Sequence, residues 1–478
     1  MEESIQPKKP LLIQVGAKVR VEFISMTHDA KGVCKLNGVN KWGEELTNFP
    51  IFVPNAITGE AGIIEITSLK KTLGSGRLIK VFPDHKSDYR VNPICPLFEE
   101  CGGCHIMHLS YEGQLAFKQV VVRQTLKTIG GIEDAKVLPT MPSVEQLFYR
   151  NKVQIPFGTN GKKTICGFYK NTTHDIIPFE DCYIQSKQMS EIVKFIRNLC
   201  NEYHIKGYDE KKQTGDIRHV LLREAKKTGE VMVVLVLTKR DIPNLKELTS
   251  KLVKRFPAIT SVMLNVNNAN TNVILGSETA TLYGKANICD DLLSQSYLIH
   301  AHSFFQVNPK TCEKLYEVAI KKAKLKPTDQ IIDAYCGIGT IGLSVAKKVK
   351  HVYGVEIVPE AIENAIINAK NNGIDNATFV CGKAEEQIMK WKNDQLPIDA
   401  IFVDPPRRGL DISLMNAIHD MKIPKIIYIS CDIGTMARDI KYLKSLDYIP
   451  SSFQPVDMFP QTLHVECLVG LYLKDKRE

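Results

Sequence analysis

The 478-residue chain lacks any apolar run that could cross a bilayer. Its longest, Val231 to Leu237, falls far short of the ~20 residues a membrane helix needs. No basic start followed by an apolar stretch opens it, so no secretion signal is expected and a cytoplasmic protein is. Internal repeats and low-complexity tracts are also missing. Neither sign of charge dominates: 62 Lys and Arg stand against 53 Asp and Glu, a net charge of +9. Such an excess admits a polyanionic partner without requiring one. The 13 cysteines are odd in number. Without a secretion signal they are expected as thiols, metal ligands or nucleophiles rather than a disulfide framework. What is present is ordinary globular composition, 44% apolar and 24% charged. That excludes a disordered, collagen-like or small disulfide-stapled chain, and the length suits about three domains.

Three blocks follow. Residues 11–82 hold short strand-like runs broken by glycine, such as Lys18-Val-Arg-Val-Glu-Phe, Ala61-Gly-Ile-Ile-Glu-Ile and Gly76-Arg-Leu-Ile-Lys-Val. Alternation with glycine at the breaks predicts a small antiparallel barrel. Residues 83–300 open with a cysteine cluster and then mix strands with helices. Within this block no acidic residue occurs from Leu147 to His174, where Arg150, Lys152, Lys162, Lys163 and Lys170 interleave with Tyr149, Phe157, Phe168 and Tyr169. Basic groups attract phosphate and aromatic faces can stack on unpaired bases; the alternative is a surface hairpin whose aromatics face the core. Residues 301–478 alternate strands and helices, with strands at Gln330, His351, Thr378, Asp399 and Lys425 and an amphipathic helix over Pro359–Lys370. Ala361, Ile362, Ala365, Ile366 and Ala369 share one face of that helix. The βα alternation predicts a doubly wound parallel sheet.

In such a sheet ligands sit beyond the carboxyl ends of the strands. Asp333-Ala-Tyr-Cys-Gly-Ile-Gly-Thr follows a strand, and Gly337 and Gly339 let backbone approach a ligand closely. Glu356 ends the next strand, where a carboxylate can accept from both hydroxyls of a ribose. That logic serves NAD and S-adenosylmethionine (SAM) alike. The third glycine of the dinucleotide fingerprint is absent, which favours SAM. Two further strands end in Asp404-Pro-Pro-Arg-Arg-Gly and Ser430-Cys431-Asp432. The paired prolines make a stiff turn that aims Asp404 into the crevice. Cys431 is a candidate nucleophile, with a buried structural thiol as the alternative. Glu466, in an apolar late strand, needs a partner or a raised pKa, and a raised pKa suits a general acid/base. A thiolate adding to carbon 6 of uracil turns carbon 5 into a nucleophile for the SAM methyl, and a base then removes the carbon 5 proton. Cys95, Cys101 and Cys104, with Gly102 and Gly103 between the last two, can converge on a metal with Cys182 as fourth ligand; zinc and an iron–sulfur cluster both suit thiolates. The other cysteines outside the crevice are read as structural, with Cys166 the nearest rival for the metal.

Taken together, Phe304-Phe-Gln-Val-Asn-Pro, the Asp333 glycine motif, Asp404-Pro-Pro-Arg-Arg-Gly, Ile429-Ser-Cys-Asp and His464-Val-Glu resemble the SAM-dependent RNA uracil-5 methyltransferases, over almost the whole chain. The resemblance implies an RNA-binding TRAM barrel (OB-like) at 11–82, a central α+β domain with an iron–sulfur loop at 83–300, and a SAM-dependent methyltransferase domain at 301–478. It implies Cys431 as nucleophile and Glu466 as base, with Gln306, Tyr335, Glu356 and Asp404 lining the SAM site. It also implies a [4Fe-4S] cluster on Cys95, Cys101, Cys104 and Cys182, with zinc as runner-up. Barrel and cluster together favour 23S ribosomal RNA as substrate over transfer RNA, with no membrane and no obligate protein partner. Asp432-Ile433 departs from the family's Asn-Pro, and Cys467 from its commoner Thr. Two other readings remain. An amino-directed nucleic-acid methyltransferase would place an aromatic where Arg407 stands, and a non-catalytic RNA-binding iron–sulfur protein would not need Cys431.

Overall fold

The computed structural model describes residues 11–474, and among them no helix is long and apolar enough to cross a membrane. The chain divides into two compact units. One comprises the residues up to Ile94 with 104–117 and 461–463; the other comprises 95–103, 118–460 and the chain from His464 on.

In the first unit, seven short strands between Leu12 and Val81 form one sheet. Along Lys18–Glu22 exposure alternates residue by residue, so Val19 and Val21 enter the core and Lys18, Arg20 and Glu22 face water. Phe23, Ile51 and Ile64 fill that core. The antiparallel expectation is corrected in one respect. Leu12–Ile13 pairs parallel with Lys31–Asn40, and Glu45–Pro54 pairs parallel with Gly74–Val81. Both parallel pairs join strands that are not sequence neighbours, whereas neighbours joined by turns pair antiparallel. Turn glycines record the second kind of pairing and not the first. Glu60 is fully buried, yet its carboxylate accepts from Arg90 at 2.5 Å and from the Ile57 and Ser87 amides, so its charge is answered.

The second unit contains two large sheets. The earlier one runs in the order Ile176–Pro178, Lys163–Tyr169, Lys152–Asn160, Ile217–Glu224, Val231–Leu237, Ile259–Val266, Glu278–Gly284. Every residue of Val231–Leu237 is buried. Met232, Val234 and Val236 face one apolar core; Val231, Val233, Leu235 and Leu237 face another. A strand covered on both sides reads as a continuous apolar run, which explains the longest such run in the sequence.

The later sheet carries the candidate site. Its strands are β1 (Gln330–Ala334), β2 (His351–Glu356), β3 (Ala377–Cys381), β4 (Ala400–Val403), β5 (Lys425–Ser430), β6 (Tyr448–Pro450), β7 (Gln454–Val456) and β8 (Glu466–Leu473). They lie in the order β3-β2-β1-β4-β5-β8-β6, with β7 also paired to β8. β1 to β5 are parallel. β8 runs antiparallel to β5, which corrects the expectation of a wholly parallel sheet. Strand order reverses between β1 and β4, and that reversal opens a crevice at the carboxyl ends. The helix Pro359–Asn371 forms as predicted, but Ile366 is 52% exposed while Asn364 and Asn368 are buried. Asn368 holds its place by accepting from the Leu298 amide at 2.8 Å and donating to Ile338 O.

Candidate active site

The crevice holds a cavity of about 440 Å³, lined among others by Gln306, Tyr335, Gly337, Glu356, Asp404, Cys431 and Glu466. All six residues expected from sequence for catalysis and cofactor binding thus reach one space.

Each is delivered by local structure. β1 ends at Ala334, and Tyr335 and Gly337 follow at φ +64° and +54°, turning the chain sharply over the strand end. Gly339, at φ +84°, starts the helix Thr340–Ala346. A Cβ added at Gly337 meets nothing within 4 Å, so this backbone borders open space. Glu356 closes β2 and faces that turn. Its Oε2 accepts from the Gly337 amide at 3.2 Å, and its Oε1 accepts from the Ile357 and Val358 amides at 2.8 and 3.1 Å. A carboxylate offers about four acceptor positions, so a pinned Glu356 still has capacity for hydroxyl donors. Asp333 stays out of the cavity. It is buried under the helix and accepts from the Gly342 amide at 2.7 Å, and burial pushes its carboxyl up to about 7.

Gln306 sits on the segment after His300, which is fixed from below. Arg223 donates to the carbonyls of Ala301 and Ser303, and Asn151 donates to the Gln306 carbonyl at 3.1 Å. The Gln306 side chain is therefore presented by a braced backbone rather than a mobile loop. Phe304, 65% exposed, lies at the cavity mouth.

Cys431 and Glu466 meet through strand register. Ser430 on β5 is paired with Cys467 on β8 in an antiparallel ladder. Continuing that ladder by one position sets Cys431 opposite Glu466, on strands about 4.8 Å apart. Side chains alternate along a strand, so Cys467 turns the other way and is buried in the apolar core. Glu466 is 3% exposed and its Oε2 has no hydrogen-bond partner. Burial, with the charge of Asp404 added, raises its carboxyl well above the ordinary range. Burial likewise raises Asp404. Cys431 is half-buried, and its thiol is pushed up to about 11 by burial first, then by Glu466 and Asp404, against the pull of Arg407. Asp432, which departs from the family's Asn beside the thiol, is engaged elsewhere. Its Oδ1 caps the helix Ile433–Ser445 by accepting from the Thr435 amide at 3.0 Å, and its charge is a lesser influence on Cys431.

Sequence reasoning missed Lys383 and Glu385, which line the cavity just past the end of β3. The rule that ligands lie beyond strand ends pointed there; no motif did. Of the interleaved aromatics between Leu147 and His174, Tyr149, Phe157 and Phe168 follow the plainer reading, while Tyr169 stacks on His174 and donates to Glu210. Tyr149 is buried with its hydroxyl donating to Pro460 O at 3.1 Å, Phe157 is buried, and Phe168 packs on Phe179.

The cysteine segment is docked by backbone bonds: the Gly102 amide to Tyr169 O, and the Asn171 amide to Glu100 O. Cys95 and Cys101 both raise the thiol of Cys182, so the three sulfurs lie within each other's field, and the Ile184 and Gln185 amides donate toward Cys182. Among the described residues, however, no three His, Cys, Asp or Glu side chains are drawn together closely enough to hold a metal. Cys104 belongs to the other unit. Cys166 is buried in an apolar core, where it acts electrostatically on Cys200.

An α/β sheet of this order, with a glycine turn, an acidic strand end and a cavity at the crevice, is that of a methyltransferase. The family model described as tRNA (uracil-5-)-methyltransferase matches residues 111–476. The chain is 42% identical over 455 residues to an uncharacterized RNA methyltransferase of Bacillus cereus, covering 95% of this chain and 97% of that protein. It is 43% identical over 464 residues to one of Listeria innocua, covering 97% and 99%. The crystal structure of Pyrococcus abyssi tRNA (uracil-54, C5)-methyltransferase in complex with S-adenosyl-L-homocysteine superposes with TM-score 0.74 and 28% identity, covering 95% of this chain and 99% of that one. The chain belongs to the tRNA (uracil-5-)-methyltransferase family and is a SAM-dependent RNA methyltransferase.

Proposed function

We propose that the protein methylates carbon 5 of a uridine in 23S ribosomal RNA, with Cys431 as nucleophile and Glu466 as base. The observation that carries this reading is that Cys431, just past β5, and the buried carboxylate of Glu466, at the start of the neighbouring β8, line one cavity with the glycine turn. SAM, when bound, supplies an electrophilic methyl group; Tyr335, Gly337, Glu356 and Asp404 would hold it, and Gln306 would face it or the base. Cys431 gives up its proton to solvent and its sulfur bonds to carbon 6 of the uracil, leaving the Glu466 carboxylate unprotonated. Carbon 5 would then take the methyl with the electron pair freed from the C5–C6 double bond, as the methyl's bond to the sulfonium sulfur breaks and the thioether leaves. The Glu466 carboxylate accepts the carbon 5 proton, the electrons of that C–H bond restore the C5–C6 double bond, and the sulfur leaves as thiolate. The base must be splayed out of its stack to enter.

We read residues 11–82 as a TRAM-like RNA-binding barrel, 83–300 as a central domain and 301–478 as the methyltransferase domain. Cys95, Cys101, Cys104 and Cys182 are assigned to a [4Fe-4S] cluster. Its support is the thiol donor set, the mutual field of Cys95, Cys101 and Cys182, and the amides aimed at Cys182. Transfer RNA is the second reading. A protein named as a tRNA (uracil-54, C5)-methyltransferase is matched along 99% of its own length and 95% of this chain, which supports transfer RNA as the alternative substrate.

The deciding experiment incubates the protein with SAM and 5-fluorouridine RNA. A covalent complex through Cys431 is expected; none with any RNA, despite SAM binding, sinks the mechanism. Mapping 5-methyluridine in ribosomal and transfer RNA from cells lacking the protein decides the substrate.

A further inference from the structure

A second and larger hollow, about 670 Å³, adjoins the candidate site. Its walls come from the segment after Pro406 and from two helices, Ile412–Asp420 and Ile433–Ser445. Gly409 makes the corner. It adopts φ +78°, and a Cβ there would lie 2.5 Å from Asp439 Oδ2, so only glycine lets the chain approach so closely. The floor is apolar, formed by Met415, the 58%-exposed Ile412 and the ring of Tyr442. The charged lining is Arg408, Arg438 and Lys441 against Asp411 and Asp439. Both carboxylates are already engaged. Asp439 accepts from the Leu410 amide, the Tyr428 hydroxyl and Arg438, and Asp411 accepts from the amide and hydroxyl of Ser413. Arg408 and Lys441, both exposed, form no ion pair among the described residues. With three cations against two carboxylates, the lining is positive on balance.

Arg408 also lines the cavity that holds Cys431 and Glu466. Adjacent nucleotides are joined through one phosphate, so a cation bordering both hollows is placed to meet the phosphate between them. An apolar floor with an aromatic ring suits the face of a base, whichever base it is. We propose that this hollow binds the nucleotide adjacent to the target uridine, with the linking phosphate on Arg408, the outer phosphate on Lys441 and the base against Ile412, Met415 and Tyr442. The assignment rests on the RNA-methylating reading above and adds to it a second binding site on the same strand.

The test begins with wild-type protein and an RNA transcript that it methylates at a mapped uridine. Each neighbour of that uridine is then made abasic in turn. Lys441→Glu and Ile412→Asp alter exposed side chains and leave the buried framework intact. Each is expected to raise the KM for RNA about tenfold while the affinity for S-adenosyl-L-homocysteine, read by calorimetry, stays at the wild-type value. Removing one particular neighbouring base should raise the wild-type KM by a similar factor and add nothing further in Ile412→Asp. If the wild type methylates its RNA but both variants keep the wild-type KM, the hollow is no nucleotide site and the uridine chemistry stands. The nucleotide site is equally overturned if the effects of base removal and Ile412→Asp simply multiply. Wild-type protein that methylates no RNA overturns both assignments.

Discussion

The strand-end crevice and the Cys95–Cys182 region both gather chemistry-bearing side chains, but by different means. Cys431 directly follows β5 and Glu466 opens β8, two strands paired in one antiparallel ladder. The strand ends that carry them are held by backbone hydrogen bonds of the sheet. Cys95, Cys101 and Cys182 hang on connecting segments and sense one another without closing on a common centre. Where register sets a site, the site pre-exists; where loops set it, a ligand must finish it, and binding energy becomes folding energy. The placement of Cys431 and Glu466 should then survive perturbations that disturb the cysteine segment.

The sharpest break falls on the pair itself. Cys431→Ala should abolish both methylation and trapping of 5-fluorouridine RNA, with SAM binding preserved by calorimetry. Glu466→Gln should slow turnover by about 10²–10⁴-fold and leave a covalent RNA adduct that accumulates on denaturing gels. It should also change stability in a pH-dependent way. The Glu466 carboxyl has a raised folded-state pKa. The folded protein therefore gains least against the unfolded chain once pH climbs above the unfolded value near 4.5 and on through the raised value. The unfolding temperature of Glu466→Gln should thus exceed that of wild type at pH 8 by more than at pH 5. Cys182→Ser comes next: anaerobically purified protein should lose its iron, about four per chain in the wild type by the cluster reading, and melt at lower temperature, yet still bind SAM. One zinc in place of iron would overturn the cluster. The smallest effect is Arg407→Ala, which removes the cation that draws the Cys431 thiol down. The alkaline shift of the pH profile for adduct formation should be measurable while maximal trapping is retained.

The same contrast explains what could be read beforehand. β1, β2 and β5 are short, mostly apolar runs; Tyr335 and Cys431 directly follow the first and the last and Glu356 closes the second, so period and position locate both the strands and the lining of the cavity. A strand's partner is less visible. Nothing local says that Leu12 pairs parallel with Val39, or that β8 turns antiparallel beside β5. Ile366 fits the apolar face of its helix by spacing, but tertiary bonding gave the buried places to Asn364 and Asn368. Tyr149 and Phe157 carry no sign that separates a core ring from a stacking platform. The second hollow was illegible for a related reason. Arg438, Lys441 and Tyr442 lie on one helix and Ile412 and Met415 on another, and only the packing of the two flanks makes a concavity.

The strand Val231–Leu237 divides its loyalties by parity. Met232, Val234 and Val236 share a core with Phe305, the residue next to Gln306, while Val231, Val233, Leu235 and Leu237 pack with the helix Lys187–Glu202 on the far side. Trimming a methyl from an even position is thus expected to open space in the core that beds Phe305, while the same trimming one residue along falls in the opposite core.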